Sequence, residues 1–155
     1  MSAVTLEQMI ASHPFFNGIE PTLLQLIAAG AKLRELPAGE MIFHQGEPVD
    51  RFYLLRTGRV ALDIHTPRRG GHTIETIEDG EILGWSWLIP PFRWRFDARV
   101  VEPVTAIEID GRQLREACEL DHDLGYELYR RFATLIGQRL EATRIQLMDL
   151  YGMNH

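Results

Sequence analysis

The hydrophobic period changes twice along the chain, and each change marks a boundary. Over residues 5 to about 30 the apolar positions fall at helical spacing. Thr5 stands ahead of Leu6-Glu7-Gln8 as an N-cap, with Gln8 at the box position. Met9, Ile10, Phe15 and Phe16 follow until Gly18 interrupts. Glu20-Pro21 opens a second helix with proline at the first helical position. Leu23, Leu24, Ile27 and Ala28 supply its apolar stripe, and Gly30 predicts its end. From 32 to 110 the period becomes two, in segments at 32–36, 41–45, 51–56, 59–65, 73–77, 98–101 and 105–109. Pro37-Ala38-Gly39, Gln45-Gly46-Glu47-Pro48, Thr57-Gly58, Arg68-Arg69-Gly70-Gly71 and Glu78-Asp79-Gly80 separate them. Short strands divided by such turns predict an all-β sandwich or barrel. Gly70-Gly71 reads as a hairpin tip. Gly39, Gly46, Gly58 and Gly80 are expected where strands reverse and φ turns positive.

From Asp110 the pattern is helical again. Asp110 caps a short helix through Gln113, Leu114 and Ala117, and Asp121 or Asp123 caps a long one running to about Leu150. On the long helix Tyr129, Ala133, Ile136, Leu140, Thr143, Leu147 and Leu150 alternate at spacings of four and three, a heptad register. Leu128, Phe132 and Leu135 form a second apolar edge beside this seam. Either both edges make one wide core stripe, or one edge packs on the β region while the seam meets another helix. The chain holds no second long heptad helix, so a homodimer through the seam is the simpler use.

The length, 155 residues, fits one domain over 1–155, with a helical lead-in at 5–30, a β region at 32–110 and C-terminal helices at 111–150. Lys plus Arg number 16 against 22 Asp plus Glu, a net charge of −6, which argues against nucleic-acid binding. The cations of the last helix, Arg130, Arg131, Arg139 and Arg144, are interleaved with Glu127, Glu141 and Asp149, so a solvated face is expected and no direct DNA contact. A single cysteine, Cys118, fits a reducing, cytoplasmic setting and a buried, inert role. No signal peptide or membrane span is expected, since no apolar run is long enough. Enzyme signatures are missing: there is no G-x-x-x-x-G-K loop and no H-E-x-x-H, and Gly84-Trp85-Ser86-Trp87 lacks the second glycine of a nucleophile elbow. His44, His65 and His72 are scattered over different strands, so no metal is expected. The reading is of a non-enzyme.

The turn pattern adds a resemblance. Pro37-Ala38-Gly39-Glu40-Met41-Ile42-Phe43-His44-Gln45-Gly46-Glu47, followed by Phe52-Tyr53-Leu54-Leu55-Arg56-Thr57-Gly58-Arg59-Val60, resembles the first half of the cyclic nucleotide-binding domain of the catabolite-activator/fumarate-nitrate-regulator family. Asp79-Gly80-Glu81-Ile82-Leu83-Gly84 is similar to the entry of that family's phosphate-binding cassette. The resemblance runs from about residue 5 to 150. It implies a mainly β fold with flanking helices: a double-stranded β-helix, or jelly-roll-like β-roll of about eight short strands, with N-terminal helices and a long C-terminal helix. It also implies a ligand pocket in which Gly84 opens a helical turn whose amides suit a phosphate oxygen. Gln138-Arg139-Leu140-Glu141-Ala142-Thr143 resembles the segment that approaches the base, with Arg139 and Thr143 at the matching positions.

The cassette itself departs from the family. Trp85 stands where the resemblance places the glutamate that holds the ribose, Trp94 where it places the arginine that pairs with the phosphate, and Arg95 where a small residue is expected. Losing the guanidinium forfeits a charge-assisted hydrogen bond of about 1.5–3 kcal/mol. An indole offers one N–H donor and no acceptor for a ribose hydroxyl. Arg93 or Arg95 could still turn inward, with Ser86 adding a hydroxyl, to hold a cyclic nucleotide or another small anion. Alternatively Trp85, Trp87 and Trp94 could stack on an apolar or aromatic ligand, or fill the pocket themselves. The expected function is a stand-alone cyclic nucleotide-binding-like sensor domain with a non-standard pocket, signalling through the long helix. A degenerate β-roll used only for dimerisation or protein docking, without a small-molecule ligand, is the alternative.

Overall fold

A computed structural model describes residues 5–68 and 70–150; Arg69, in the expected hairpin tip, and both chain ends lie outside it. The lead-in consists of α1 (Leu6–Ser12), a 3-10 turn at Pro14–Phe16, and α2 (Pro21–Ala29). The Thr5 capping box forms as its residues require, with Gln8 N–H donating to Thr5 Oγ1 at 3.1 Å and Thr5 N–H to Gln8 Oε1 at 3.0 Å. Glu20 caps α2 ahead of Pro21, and Gly30 ends it.

Six strands follow: β1 (Ala31–Leu36), β2 (Met41–Phe43), β3 (Arg51–Thr66), β4 (Gly70–Ile77), β5 (Ile82–Leu83) and β6 (Asp97–Asp110). They form one antiparallel sheet ordered β1-β6-β3-β4, with β2 also on β6 and β5 on β3. The expected turn at Thr57-Gly58 is not a reversal, and the gap between the segments at 98–101 and 105–109 is not a break. The segments at 51–56 and 59–65 are one strand, and so are those at 98–101 and 105–109, giving six strands among the described residues where about eight short ones are expected. Gly58 explains the merger: it sits at φ +111° in a bulge, and a Cβ there would lie 2.5 Å from the Pro103 carbonyl oxygen. The register slips at that point, from Thr57 opposite Thr105 to Arg59 opposite Glu102, so the strands bend together without ending. The β3–β4 hairpin also turns earlier than Gly70-Gly71, since Gly71 already pairs with His65. Gly39, Gly46 and Gly80 do occupy turns at positive φ.

Past the sheet, Asp110 caps α3 (Gly111–Leu120) by accepting from Gln113 N–H at 3.0 Å. Asp121, rather than Asp123, caps α4 (His122–Leu150), its Oδ1 accepting from the N–H groups of Asp123 and Leu124. The core joins Phe52, Leu54, Leu62, Ile107 and Ile109 of the sheet to Phe16 and Ile27 of the lead-in and to Leu128 and Phe132 of α4. The two apolar edges of α4 therefore part company. Leu128 and Phe132 are fully buried, whereas Tyr129, Leu140, Leu147 and Leu150 remain exposed. Beyond residue 140 no described position of α4 is buried within this chain.

Two glycines should respond to alanine in opposite directions. Gly58→Ala should destabilise by about 1–3 kcal/mol from φ alone, with the backbone clash adding to it. Gly137, inside α4 with nothing within 4 Å of where a methyl group would stand, should gain about 0.5–1 kcal/mol as Ala. Urea unfolding of both variants measures this; equal effects would contradict the bulge assignment.

Candidate functional site

The cassette begins where β5 stops. Ile82 and Leu83 pair with Leu54 and Tyr53, and the chain then leaves the sheet at Gly84 with φ +102°. A Cβ on Gly84 would stand 2.8 Å from Trp94 Cη2 and 2.9 Å from Cζ3, so only glycine lets that indole lie against the backbone. Residues 85–88 form a single turn closed by Leu88 N–H donating to Trp85 O at 3.1 Å. The chain passes through Pro90-Pro91, a cis bond, and Phe92 at φ 56°. It is then pinned to the turn before β3: Val49 N–H donates to Phe92 O, Trp94 N–H to Glu47 O, and Gly46 N–H to Trp94 O, all within 2.9 Å.

This pinning sets the register that the prolines leave undecided in the sequence. Trp94 points inward, 3% exposed, and stacks on Phe43 with ring centres 3.4 Å apart and planes 4° from parallel. Arg93 and Arg95, on either side, are exposed. Arg93 Nη1 donates to the Gly46 carbonyl at 2.8 Å, and the Arg95 guanidinium lies 5.3 Å over the half-buried Trp85 ring. Neither guanidinium occupies the place beside Gly84, which Trp94 holds. Trp87 goes elsewhere: fully buried, it lies parallel to Phe52 at 4.9 Å and edge-on to Phe132 of α4 at 5.3 Å. Ser86 Oγ and Trp87 Nε1 are buried without a hydrogen-bond partner among the described residues.

Arg139 and Thr143 are brought to the cassette's approach rather than to its tryptophans. Arg139 Nη2 donates to the Ile82 carbonyl, and its Nε lies 3.8 Å from Glu75 Oε2. Burial pulls the Arg139 pKa below the usual guanidinium value, against the opposing pull of Glu75 and Glu81. Burial likewise raises the Glu75 carboxyl, with Arg139 acting against it and Glu81 adding to it. A groove of about 520 Å³ runs here between β4 and α4, lined among others by Glu75, Leu135, Gln138 and Arg139. Thr143 is exposed, its hydroxyl donating to the Arg139 carbonyl.

Several supporting residues escape a reading of the sequence. Arg115 of α3 donates to the Trp87 carbonyl at 2.5 Å and lies 4.1 Å over the Phe92 ring. Its only sequence signal is a cation on an amphipathic helix. At the far end of the cassette, buried Asp97 gathers His65, 2.9 Å away, His44, 3.8 Å away, and the Gln45 N–H at 2.7 Å. Thus two histidines that look scattered in sequence converge on one carboxylate. Gly71 makes room, since a Cβ there would stand 2.8 Å from the His65 ring. Cys118 is buried against Gly125 of α4, and burial raises its thiol pKa, aided by Glu119 and Asp121.

Comparison with known proteins agrees with this fold. Residues 33–121 match the family model for the cyclic nucleotide-binding domain. A solved structure from Geobacter metallireducens, described as a candidate cyclic nucleotide-binding protein, superposes with a TM-score of 0.78 at 28% identity, over 90% of this chain and 99% of that one. A cyclic nucleotide-binding-like protein from Brucella abortus superposes with a TM-score of 0.58 at 28% identity, over 73% of this chain and 97% of that one. Among curated proteins, the CRP-like cAMP-activated global transcriptional regulator of Mycobacterium tuberculosis is 23% identical over 145 residues, 94% of this chain. The chain spans 63% of that relative's length. Among the described residues no helix is long and apolar enough to cross a membrane. On the match over most of its sheet and the whole cassette, the chain belongs to the cyclic nucleotide-binding domain family.

Proposed function

We propose that this chain is a cytoplasmic regulatory sensor domain whose pocket is not built for cyclic AMP. The single observation that carries the reading is Trp94, packed between Gly84 and the Phe43 ring in the position where the family resemblance calls for a phosphate-binding arginine. With Trp85 in the glutamate's position, the cassette presents indole surface where a sugar-phosphate would need an acceptor and a cation. A ligand suited to it is small and flat: it stacks on half-buried Trp85 and enters further only by displacing Trp94 from Phe43. Arg93 and Arg95 could reach an anionic substituent only from the rim.

Two contacts give such a ligand a route to α4. Trp87, inside the cassette turn, meets Phe132 edge-on, and Arg139 holds the carbonyl of Ile82 just before Gly84. A ligand that displaces Trp94 moves the 85–88 turn and with it the packing of α4. The signal requires that the ligand bind one arrangement of α4 better than the other. The receiver on this reading is a second copy of the chain, paired through Tyr129, Ala133, Ile136, Leu140, Thr143, Leu147 and Leu150. The support is that Tyr129, Leu140, Leu147 and Leu150 of this heptad seam stay exposed, with Ile136 half-buried, while Leu128 and Phe132 of the neighbouring edge are buried in the core. No catalytic group and no direct DNA contact enter this reading.

Thermal unfolding in the presence of cyclic AMP, cyclic GMP, inorganic phosphate and indole tests the pocket. A site with a dissociation constant one hundredth of the ligand concentration adds about 2.7 kcal/mol, or roughly 5–10 °C for a chain of this size. The cyclic nucleotides and phosphate should give no such rise, and indole should. A rise with cyclic AMP at one-to-one stoichiometry would overturn the proposed pocket; silence from all four would favour a degenerate roll used for docking. Separately, Leu140→Glu should halve the mass seen by sedimentation equilibrium while leaving the helical circular dichroism unchanged. An unaltered mass would remove the seam as the dimer contact.

A further inference from the structure

Away from the cassette, the helical lead-in is fastened through one buried imidazole. His13 stands between α1 and the 3-10 turn at Pro14–Phe16 and is 7% exposed. Its backbone N–H donates to Ile10 O at 3.1 Å, closing α1, and its Nδ1 accepts from Phe15 N–H at 3.2 Å, opening the turn. An imidazole accepts at Nδ1 only when neutral, with its one proton on Nε2. Nε2 is buried and turned toward the Leu55 carbonyl, which already takes the Gly80 N–H at 2.9 Å, and it closes no full hydrogen bond there. Burial pulls the His13 pKa below the ordinary imidazole value, with the Leu55 carbonyl opposing. A proton added at Nδ1 sets one N–H against another, at Phe15, and places a cation in the core.

Among the described residues no charged side chain offsets that cost. On α1 Glu7 is exposed, and at the head of α2 Glu20 accepts from Leu23 N–H. Lys32 and Arg34 of β1 are engaged by Glu108, and Glu35 is exposed. Near Leu55, Arg56 is exposed, Glu78 pairs with Arg59, Asp79 accepts from Gly58 N–H, and Glu81 accepts from Glu78 N–H. On α4, Arg131 donates to the Phe15 carbonyl at 2.8 Å and pairs with Glu127 at 2.9 Å. The bonds from Arg131 hold the Glu127 carboxyl below its usual range, with Arg130 helping, so this pair persists in mild acid. The turn that His13 caps is also what α4 grips: the Phe15 ring lies 4.7 Å from that of Phe132, which in turn meets Trp87.

We propose that His13 is an acid-sensitive latch: neutral, it fastens the Pro14–Phe16 turn against α4, and on protonation the turn lets go. The latch is independent of what the cassette binds. A released His13 takes up a proton more readily than the packed one, so the latch is fully closed above about pH 6.5, the ordinary imidazole value, and weakens as pH falls through it. Amide hydrogen exchange at pH 7 and pH 5, corrected for the pH dependence of exchange itself, tests this. The Phe15 and Phe16 amides should open about fivefold more often at the lower pH. At both pH values they should open more readily than amides of the β3–β6 ladder. His13→Asn, whose Oδ1 accepts from the same N–H without titrating, should stay within about twofold. In the unaltered chain the His13 ring, followed by NMR, should titrate below the ordinary imidazole value, a readout that needs no variant to fold. Titration at or above that value, or a change of less than about twofold in the unaltered chain, would overturn the latch. So would an equal rise in His13→Asn, or turn amides that open no more readily than the ladder.

Discussion

The antiparallel pairing of β3 with β6 runs from Arg51 opposite Asp110 to Asp63 opposite Asp97, and the other parts hang from it. β6 carries β1 and β2 along its free side, and β3 carries β4 and β5. Both long strands carry unbroken buried runs, at 52–55 and 60–62 on β3 and at 106–109 on β6, so a slip of the pair would disrupt packing on both faces of the sheet. The bulge at Gly58 shifts the register there and lets the pair bend without ending. Because the cassette is the excursion between β5 and β6, its two ends are placed by this ladder before any ligand is considered.

On that frame, aromatic packing decides what the cassette can be. Phe43 and Phe52 come from β2 and β3, and each receives one indole face to face: Trp94 on the first, Trp87 on the second. Phe132 then closes edge-on against both Phe52 and Trp87, bringing α4 into the same cluster. Rings of this size contribute mostly through the area they bury, with the pair geometry adding about 0.5–1.5 kcal/mol each. Within the cassette these rings are held to one another by dispersion and shape.

Much of this is legible in the residues, and the exceptions have physical reasons. Helix boundaries can be read because capping chemistry is local: Thr5 with Gln8, Glu20 before Pro21 and Asp110 before Gln113 each satisfy donors within three residues. The strand count cannot, because a glycine in a bulge and a glycine in a turn look alike in one dimension; only the opposing Pro103–Val104 backbone tells them apart. The exposure of the heptad seam follows from its spacing, which separates it from the Leu128–Phe132 edge. The inward turn of Trp94 is not decidable from sequence, because alternation fails around Pro90-Pro91 and the register is fixed by hydrogen bonds to residues 46–49, far off along the chain. The meeting of His44 and His65 at Asp97 is invisible for the same reason, being made by three segments distant from one another in sequence.

Asp97 has a mechanical consequence. One carboxylate fastens the last residue of the cassette to the turn after β2 and to the end of the β3 hairpin, while Gly46, Glu47 and Val49 clamp the stretch just before it. The excursion is thus a strap buckled along its second half, while buried Trp87 and the Arg115 bond to its carbonyl hold the first. Any displacement of that first half works against the indole that Phe132 of α4 touches edge-on.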